Sequence, residues 1–302
     1  MPTLTIFSAS KPFTNPHIAI IQRNAIRSWV ELGPEVEVIL VGEEAGLAEA
    51  AAELGVRHLP DVERNTEGTP LVSSIFDLAR QNSSSPLLAY VNADILLLPD
   101  FLKEAQQVAA AGQNFLVVGQ RWDLDIRVPL EFSDGWQARL MEDVRQRGRR
   151  HGPTGSDYFI FPRACFADMP KFAIGRAGWD NWMIYAARRK GWACVDASAA
   201  IQIIHQDHDY SHLPGNQPHY KLPETFENIR LAGGRLNIFN LPDANRRLVN
   251  GRIQPMQASA ARFWREVEIF PLVQLGSYRL GQLFFAIFHP RKAWQMFRQG
   301  RR

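Results

Sequence analysis

The sequence predicts an α/β fold with a mostly parallel sheet, and three observations carry that expectation. Short apolar runs of strand length alternate with segments whose apolar residues recur at helical spacing. The connections between them are short, as in α/β units. Residues 87–101 (LLAYVNADILLLPDF) are apolar almost throughout, as expected of a central strand buried on both faces. That run holds Asp94, and an ionised carboxylate there costs several kcal/mol unless paired, hydrogen-bonded or bound to a cation. A strand end opening on a ligand cleft accounts for it; the plain alternative is a solvated Asp where the strand leaves the sheet.

Taken in order, residues 3–8 (TLTIFS) read as the first strand, ending at Ser8. Asn15 followed by Pro16 signals a helix start. Ile18, Ile21, Ala25, Trp29 and Leu32 follow at helical spacing, while Arg23 and Arg27 fall off that stripe. Gly33 and Pro34 end the helix, and residues 36–41 (VEVILV) form a second strand leading into Gly42, Glu43 and Glu44. A short helix through Leu47, Ala51 and Leu54 stops at Gly55, and residues 56–59 make a third strand. Thr69 and Pro70 read as the cap and first turn of a helix carrying Leu71, Ile75 and Leu78 into the Ser83–Ser84–Ser85–Pro86 turn.

Beyond the central run, Phe101, Leu102, Ala105 and Val108 form a helix ending at Gly112, and residues 114–119 another strand. Residues 121–135 read as polar and irregular, with Asp123, Asp125 and Asp134. A helix around Trp136, Leu140 and Val144 runs into QRGRRHGPTG, a basic, glycine-containing loop that is either solvated or able to close over a phosphate. Residues 157–161 are a strand, 182–189 a helix, and strands at 192–196 and 200–205 deliver the cluster HQDHDYSH. Ligands are expected outside the C-terminal ends of the parallel strands. Neither a G-x-G-x-x-G nor a G-x-x-x-x-G-K-S/T loop is present, which disfavours the usual dinucleotide and phosphate-loop classes.

The 302 residues are enough to bury a sizeable core, and 46% hydrophobic with 22% charged residues is an ordinary globular composition. The net charge of +3 is unevenly placed: residues 260–302 carry eight basic and two acidic residues, net +6, so the remainder carries −3. Cys165 and Cys194 form no metal-ligand pattern, and residues 1–10 lack a signal-peptide pattern, so a cytoplasmic setting is expected. The apolar stretch 280–288 is interrupted by Gly281 and Gln282 and falls short of the roughly 20 residues of a spanning helix.

Asp180 stands between Trp179 and Asn181. Aromatic faces suit the apolar side of a sugar ring, and a neighbouring carboxylate can serve as general base. Asp180 is also a good helix cap for the segment that follows, and both roles are compatible. Four of the eight histidines lie between His205 and His219. In a strand His205 and His208 face opposite ways, so a single His joining a carboxylate from elsewhere is the preferred metal reading, with structural or solvated histidines the alternative.

Asn92-Ala93-Asp94 after a buried strand, GSDYF (155–159), GWDNW (178–182) and HQDHDYSH (205–212) occur in that order. Over residues 4–212 the chain resembles nucleotide-diphospho-sugar transferases of the GT-A fold, close to glycosyltransferase family 2-like bacterial proteins. The resemblance implies a Rossmann-like, mostly parallel central sheet flanked by helices in a catalytic domain over 1–250. Its nucleotide-binding part would cover about 1–120 and its acceptor part about 121–250, with a basic amphipathic helical extension over 251–302. It implies a nucleotide-sugar donor, a saccharide or lipid-linked acceptor, no nucleic acid, and a divalent metal, Mn2+ or Mg2+. Asp94 matches the metal-binding last Asp of the Asp-x-Asp motif, and Asn92 replaces the first. His208 is the second metal ligand and His205 the reserve; Asp180 is the base of an inverting transfer. Asp157 lines the sugar pocket, Glu43 contacts the base or ribose, and Ser8 and Trp179 complete the donor-binding set. Two alternatives stand beside this reading: a catalytically inactive sugar-nucleotide-binding or membrane-associated scaffold, which Asn92 permits, and a metal hydrolase using His205, His208 and Asp209.

The last stretch combines its basic residues with Phe263, Trp264, Phe270, Leu280, Phe284, Phe285, Phe288, Trp294 and Phe297, and Pro271 and Pro290 divide it into short helices. Such pieces can lie in the interface of a membrane's inner face. Packing back on the domain, or a dimer contact, is the alternative.

Overall fold

A computed structural model describes residues 1–208 and 222–299. Four parallel strands begin the fold: β1 (Leu4–Ser8), β2 (Val36–Val41), β3 (Arg57–Leu59) and β4 (Leu87–Val91). Between them run α1 (Pro16–Val30), α2 (Leu47–Leu54) and α3 (Val72–Asn82). Asn15 caps α1 as expected, its side chain accepting from the backbone N–H of His17 and Ile18, and Gly55 closes α2 at a left-handed φ of 67° that favours glycine. After β4 come β5 (Ile95–Leu97), α4 (Asp100–Ala109), β6 (Phe115–Val118), β7 (Arg121–Leu124), α5 (Trp136–Arg147) and β8 (Arg149–Arg150). Then follow β9 (Tyr158–Pro162), α6 (Trp179–Arg189), β10 (Ala193–Asp196), β11 (Ile203–Gln206) and α7 (Pro223–Leu231). The chain continues through β12 (Arg246–Val249), β13 (Arg252–Pro255), α8 (Ala260–Val273), α9 (Tyr278–Phe288) and α10 (Pro290–Gln299).

The described strands form a nine-stranded sheet in the order β13-β12-β10-β6-β9-β4-β1-β2-β3 and a four-stranded sheet in the order β5-β11-β7-β8. In the large sheet only β9 and β13 run antiparallel to their neighbours. Alternate residues of its central strands feed two cores. Leu4, Ile6, Leu87, Ala89 and Val91 pack with Ala25, Ile26 and Trp29 of α1 and Phe101, Ala105 and Val108 of α4. Phe7, Leu88 and Tyr90 pack on the other face with Ile75 and Phe76 of α3, Met183 of α6, and Ile269 and Leu272 of α8.

Several expectations are corrected. Residues 87–101 hold two strands in two sheets, β4 and β5, because the chain turns at Asn92–Ala93–Asp94: the N–H of Ile95 bonds the Asn92 carbonyl at 3.1 Å. Trp29 Nε1 then donates to the Ile95 carbonyl (2.8 Å) and the Leu97 N–H to Ser28 Oγ (3.0 Å), tying β5 to α1. The helix expected from Thr69 starts at Val72, because Pro70 and Leu71 are held extended in bridges to Arg64 and Ala173. Residues 121–124, read as irregular, pair as β7 with both β8 and β11, and the start of the basic loop forms β8. The hairpin β12–β13, across residue 250, joins the large sheet and was not anticipated. Pro271 lies in the last turn of α8 rather than between helices, whereas Pro290 does open α10.

α8 packs on α6 and joins the core on that face of the sheet. Ile269, Leu272 and Val273 are buried, Arg265 pairs with Asp243 (2.7 Å), and Arg188, whose side chain is 5% exposed, pairs with Glu266 at 2.6 Å. Glu266 is part-exposed, but losing it leaves the buried Arg188 guanidinium without its carboxylate partner. Glu266→Ala is therefore expected to cost about 2 kcal/mol in urea denaturation, and adding Arg188→Met should recover part of it; a Glu266→Ala midpoint equal to wild type would contradict this docking.

Candidate active site

The site lies where the parallel strands of the large sheet end. β1 finishes at Ser8 beside the end of β4, and β9 starts there, with Val91 opposite Tyr158. The Asn92 N–H bonds the Asp157 carbonyl at 2.9 Å and its side-chain amide donates to Asp157 Oδ1 at 3.0 Å, so the turn after β4 is clipped to the strand beside it. Gln206, fully buried at the end of β11, fixes Asp94 from the other side. Its N–H and its Nε2 both donate to the Asp94 carbonyl (3.1 and 3.2 Å), while Nε2 also reaches the Ile21 carbonyl and Oε1 accepts from Asn24 on α1.

With its backbone held in this way, Asp94 projects a buried carboxylate into a ring of cationic and imidazole groups. Oδ2 lies 3.0 Å from His208 Nε2, 3.4 Å from Lys11 Nζ and 3.9 Å from His205 Nε2. Lys11 Nζ is in turn 2.8 Å from His208 Nε2, and the Lys11 backbone is fixed by reciprocal bonds to the Gln22 amide (2.7 and 2.9 Å). Burial alone would raise the Asp94 pKa, but Lys11, His208 and His205 together hold it well below the usual carboxylate range. Its other oxygen, Oδ1, is buried without a hydrogen-bond partner, as are Asp157 Oδ2 and the hydroxyls of Ser8 and Ser10 along the same edge. Buried polar atoms are nearly always bonded, so this row leaves polar capacity for water or a ligand.

Asp94, His205 and His208 offer ligand atoms within 4.8 Å of one another, the spacing a metal ion requires. A second group shares His205 with Asp123 and Asp207. There Asp123 is taken up by Arg121 Nε (2.8 Å) and His151 Nδ1 (2.8 Å), and Arg121 also bonds Asp157 Oδ1 at 2.7 Å. Burial lowers the His205 pKa, but Asp123 and Asp94 outweigh it and push the imidazole up. Both sequence candidates for the imidazole ligand thus reach Asp94: His205 from within β11, and His208 because the strand ends at Gln206 and frees the chain to turn. Asp209, the third member of the hydrolase reading, lies outside the described residues, as do His212 and His219.

Asp180 sits in the first turn of α6. It is not the cap: Gly178 holds that position at φ 111°, and the Asp180 carboxylate accepts instead from the Gly178 N–H at 3.3 Å. Burial, with a smaller push from the Asp157 charge, raises its pKa to about 6 against the backbone N–H bonds of Asn181 and Gly178. Two residues expected to bind the donor have other partners in this structure. Trp179 is a core residue, its ring 5.1 Å from Tyr90 and 5.4 Å from Phe159, with no face free for a sugar. Glu43 is exposed and paired with Arg64 (3.3 Å), while the neighbouring Glu44 turns inward, bonding Arg64 at 2.9 Å with Oε2 buried and unpartnered.

Lys11, Arg121, Asp123 and His151 were missed. Lys11 follows β1 at the ligand edge of a parallel sheet, a position that topology alone singles out. Arg121 and Asp123 were hidden by reading their strand as irregular. The basic loop, read as either solvated or able to close over a phosphate, has its cations engaged: Arg149 pairs with Asp207 (3.0 Å), and Arg150 bonds the Ser198 carbonyl and lies over Trp122. A cavity of about 460 Å³ lies away from the site, between α4 and the β12–β13 hairpin.

No protein-family model matches the sequence, and neither does any curated protein. Solved structures do match. GalNAc-T7, with UDP, GalNAc and Mn2+, superposes at a TM-score of 0.50 with 13% identity, over 76% of this chain and 48% of that one. This chain has the GT-A fold. Further GT-A structures align with lower scores. Mycobacterium tuberculosis glucosyl-3-phosphoglycerate synthase, with Mn2+, UDP and phosphoglyceric acid, has a TM-score of 0.47 with 15% identity over 78% and 80% of the two chains. The mannosyltransferase PcManGT from Pyrobaculum calidifontis, with GDP-Man and Mn2+, has 0.45 with 13% identity over 70% of this chain and 59% of that one. The chain therefore spans less than two thirds of the mannosyltransferase and about half of GalNAc-T7.

The raised Asp180 carboxyl has a consequence for stability. With a folded pKa of about 6 against an ordinary value of 3.8, the folded state binds the extra proton, so stability falls as pH rises from about 4 through 6 and is level above. Asp180→Asn removes that loss and is expected to raise the thermal midpoint by about 2 °C at pH 7 and not at pH 4; a lower midpoint at pH 7 would contradict it.

Proposed function

We propose that this GT-A chain is a metal-dependent glycosyltransferase that moves a sugar from a nucleoside-diphosphate donor to an acceptor hydroxyl with inversion. The observation that carries the proposal is Asp94: ionised, buried at the ligand edge of the sheet, with one oxygen lacking a partner and two imidazoles within reach of the other. One carboxylate oxygen with imidazole nitrogens suits Mn2+, and an oxygen-rich donor phosphate suits Mn2+ or Mg2+. Asp94 and His208 would hold the ion, with His205 beside them, and it would supply charge stabilisation for the departing diphosphate.

The other roles belong to the chain's own groups. Lys11 places an ammonium beside Asp94 and His208, where it can meet the negative charge of the same diphosphate. Asn92 is held by Asp157 and faces the donor with its remaining polar capacity, and Ser8 offers a buried hydroxyl at the strand end. Asp157, aligned by Arg121, keeps Oδ2 for a sugar hydroxyl. Asp180 takes the acceptor's proton as that oxygen attacks the anomeric carbon from the face opposite the leaving group. Its pKa of about 6 leaves it ionised at neutral pH yet basic enough for the task.

Transfer from a panel of nucleotide sugars tests the roles. Asp180→Asn should lower turnover by about 10²–10⁴-fold with donor binding nearly intact, and wild-type turnover should fall with unit slope below pH about 6 as Asp180 takes up a proton. An active Asp180→Asn enzyme would remove Asp180 from the mechanism, and donor binding without turnover in the wild type would favour the inactive scaffold.

A further inference from the structure

The last two helices carry a surface that the transfer chemistry does not use. Residues 278–299 contain no Asp or Glu but four basic residues, Arg279, Arg291, Lys292 and Arg298. On α9, Leu280, Leu283 and Ile287 are 42, 55 and 65% exposed, and their three- and four-residue spacing puts them on one stripe. The opposite side of α9 is seated on the domain: Gly281 is buried so closely against Leu272 of α8 that a Cβ there would clash. Trp294 on α10 and Phe263 and Trp264 on α8 are also exposed, and the Trp264 ring lies 6.1 Å from Phe288, linking apolar residues of α8 and α9. Arg279, Arg291 and Lys292 are exposed.

Charge decides what covers this face. A second copy would set like charges against like, since neither α9 nor α10 offers a carboxylate. The two α8 acids near Arg262 and Arg265 are already taken, Glu266 by Arg188 and Arg262, and Glu268 by Arg265 and His289. Among the described residues no helix is long and apolar enough to cross a membrane, and eleven residues of α9 reach only about 16 Å. An apolar stripe with exposed tryptophans and flanking cations, too short to span, fits the interface of an anionic bilayer.

We propose that the outer face of α8–α10 docks this protein on an anionic lipid bilayer. Leu280, Leu283, Ile287 and Trp294 enter the acyl boundary, and Arg279, Arg291 and Lys292 lie against the headgroups. The docking stands apart from the transfer chemistry.

Flotation of the full chain with phosphatidylcholine vesicles, with and without phosphatidylglycerol, tests it. Binding is expected only with phosphatidylglycerol and should weaken with salt. Arg291→Ala/Lys292→Ala should reduce it by about 25-fold, at about fivefold per charge, and Ile287→Glu/Trp294→Glu should abolish it, with circular dichroism and thermal midpoint unchanged in both. Asp94→Ala should float as wild type does, which separates this surface from the proposed active site. Equal flotation of wild type and both variants, no flotation at all, or a dimer in lipid-free buffer that Ile287→Glu dissociates would each overturn the proposal.

Discussion

The Asp94 carboxylate, ionised and buried at the edge of the sheet, is the constraint around which the rest of the structure is arranged. A charge in that position is tolerable only when surrounded by compensating groups, and each comes from a different element. Lys11 comes from the loop after β1, His205 from β11, and His208 from the segment beyond it. Gln206 then bonds the Asp94 carbonyl to α1. The turn at Asn92–Ala93–Asp94 thus gathers the large sheet, the small sheet and the first helix at one point. The small sheet exists to deliver β11: β5 leaves the turn directly and pairs antiparallel with β11, with Ile95 opposite His205.

Most of the large sheet was legible in the sequence because its central strands are apolar on both faces and its helices carry clear apolar stripes. The Asn15–Pro16 start and the Gly55 stop are local signals that no distant contact overrides. What escaped was set by pairing at a distance. Arg121–Leu124 has polar alternate residues because Arg121 and Asp123 face the site, so a strand looked like a loop. Residues 87–101 looked like one strand because composition does not record the turn that Asn92 and Asp157 impose.

The residues that the structure brings together at the candidate site are those the sequence makes conspicuous. Asp94, Asn92, Asp157 and both histidines meet at one edge, since an acid in an apolar run and imidazoles in a short polar cluster are unusual enough to register. Trp179 packs in the core, since an aromatic beside an acid is as good a core residue as a sugar platform and Tyr90, Phe76 and Phe159 surround it. At the other end of the chain, the basic aromatic stretch divides between a docked helix and two outward-facing ones. Arg188 and Asp243 bind α8 to the domain, while α9 and α10 keep an apolar, cationic face outward.

A ligand that binds only the folded state raises its thermal midpoint, so a metal-bound nucleoside diphosphate anchored by Asp94 is read directly by melting. The most direct measurement is the thermal midpoint of wild type and Asp94→Ala with UDP or GDP, each with and without Mn2+. The midpoint is expected to rise in wild type only with nucleotide and Mn2+ together, and not in Asp94→Ala. A rise of the same size in Asp94→Ala, or no rise with any nucleoside diphosphate in wild type, would contradict that anchoring.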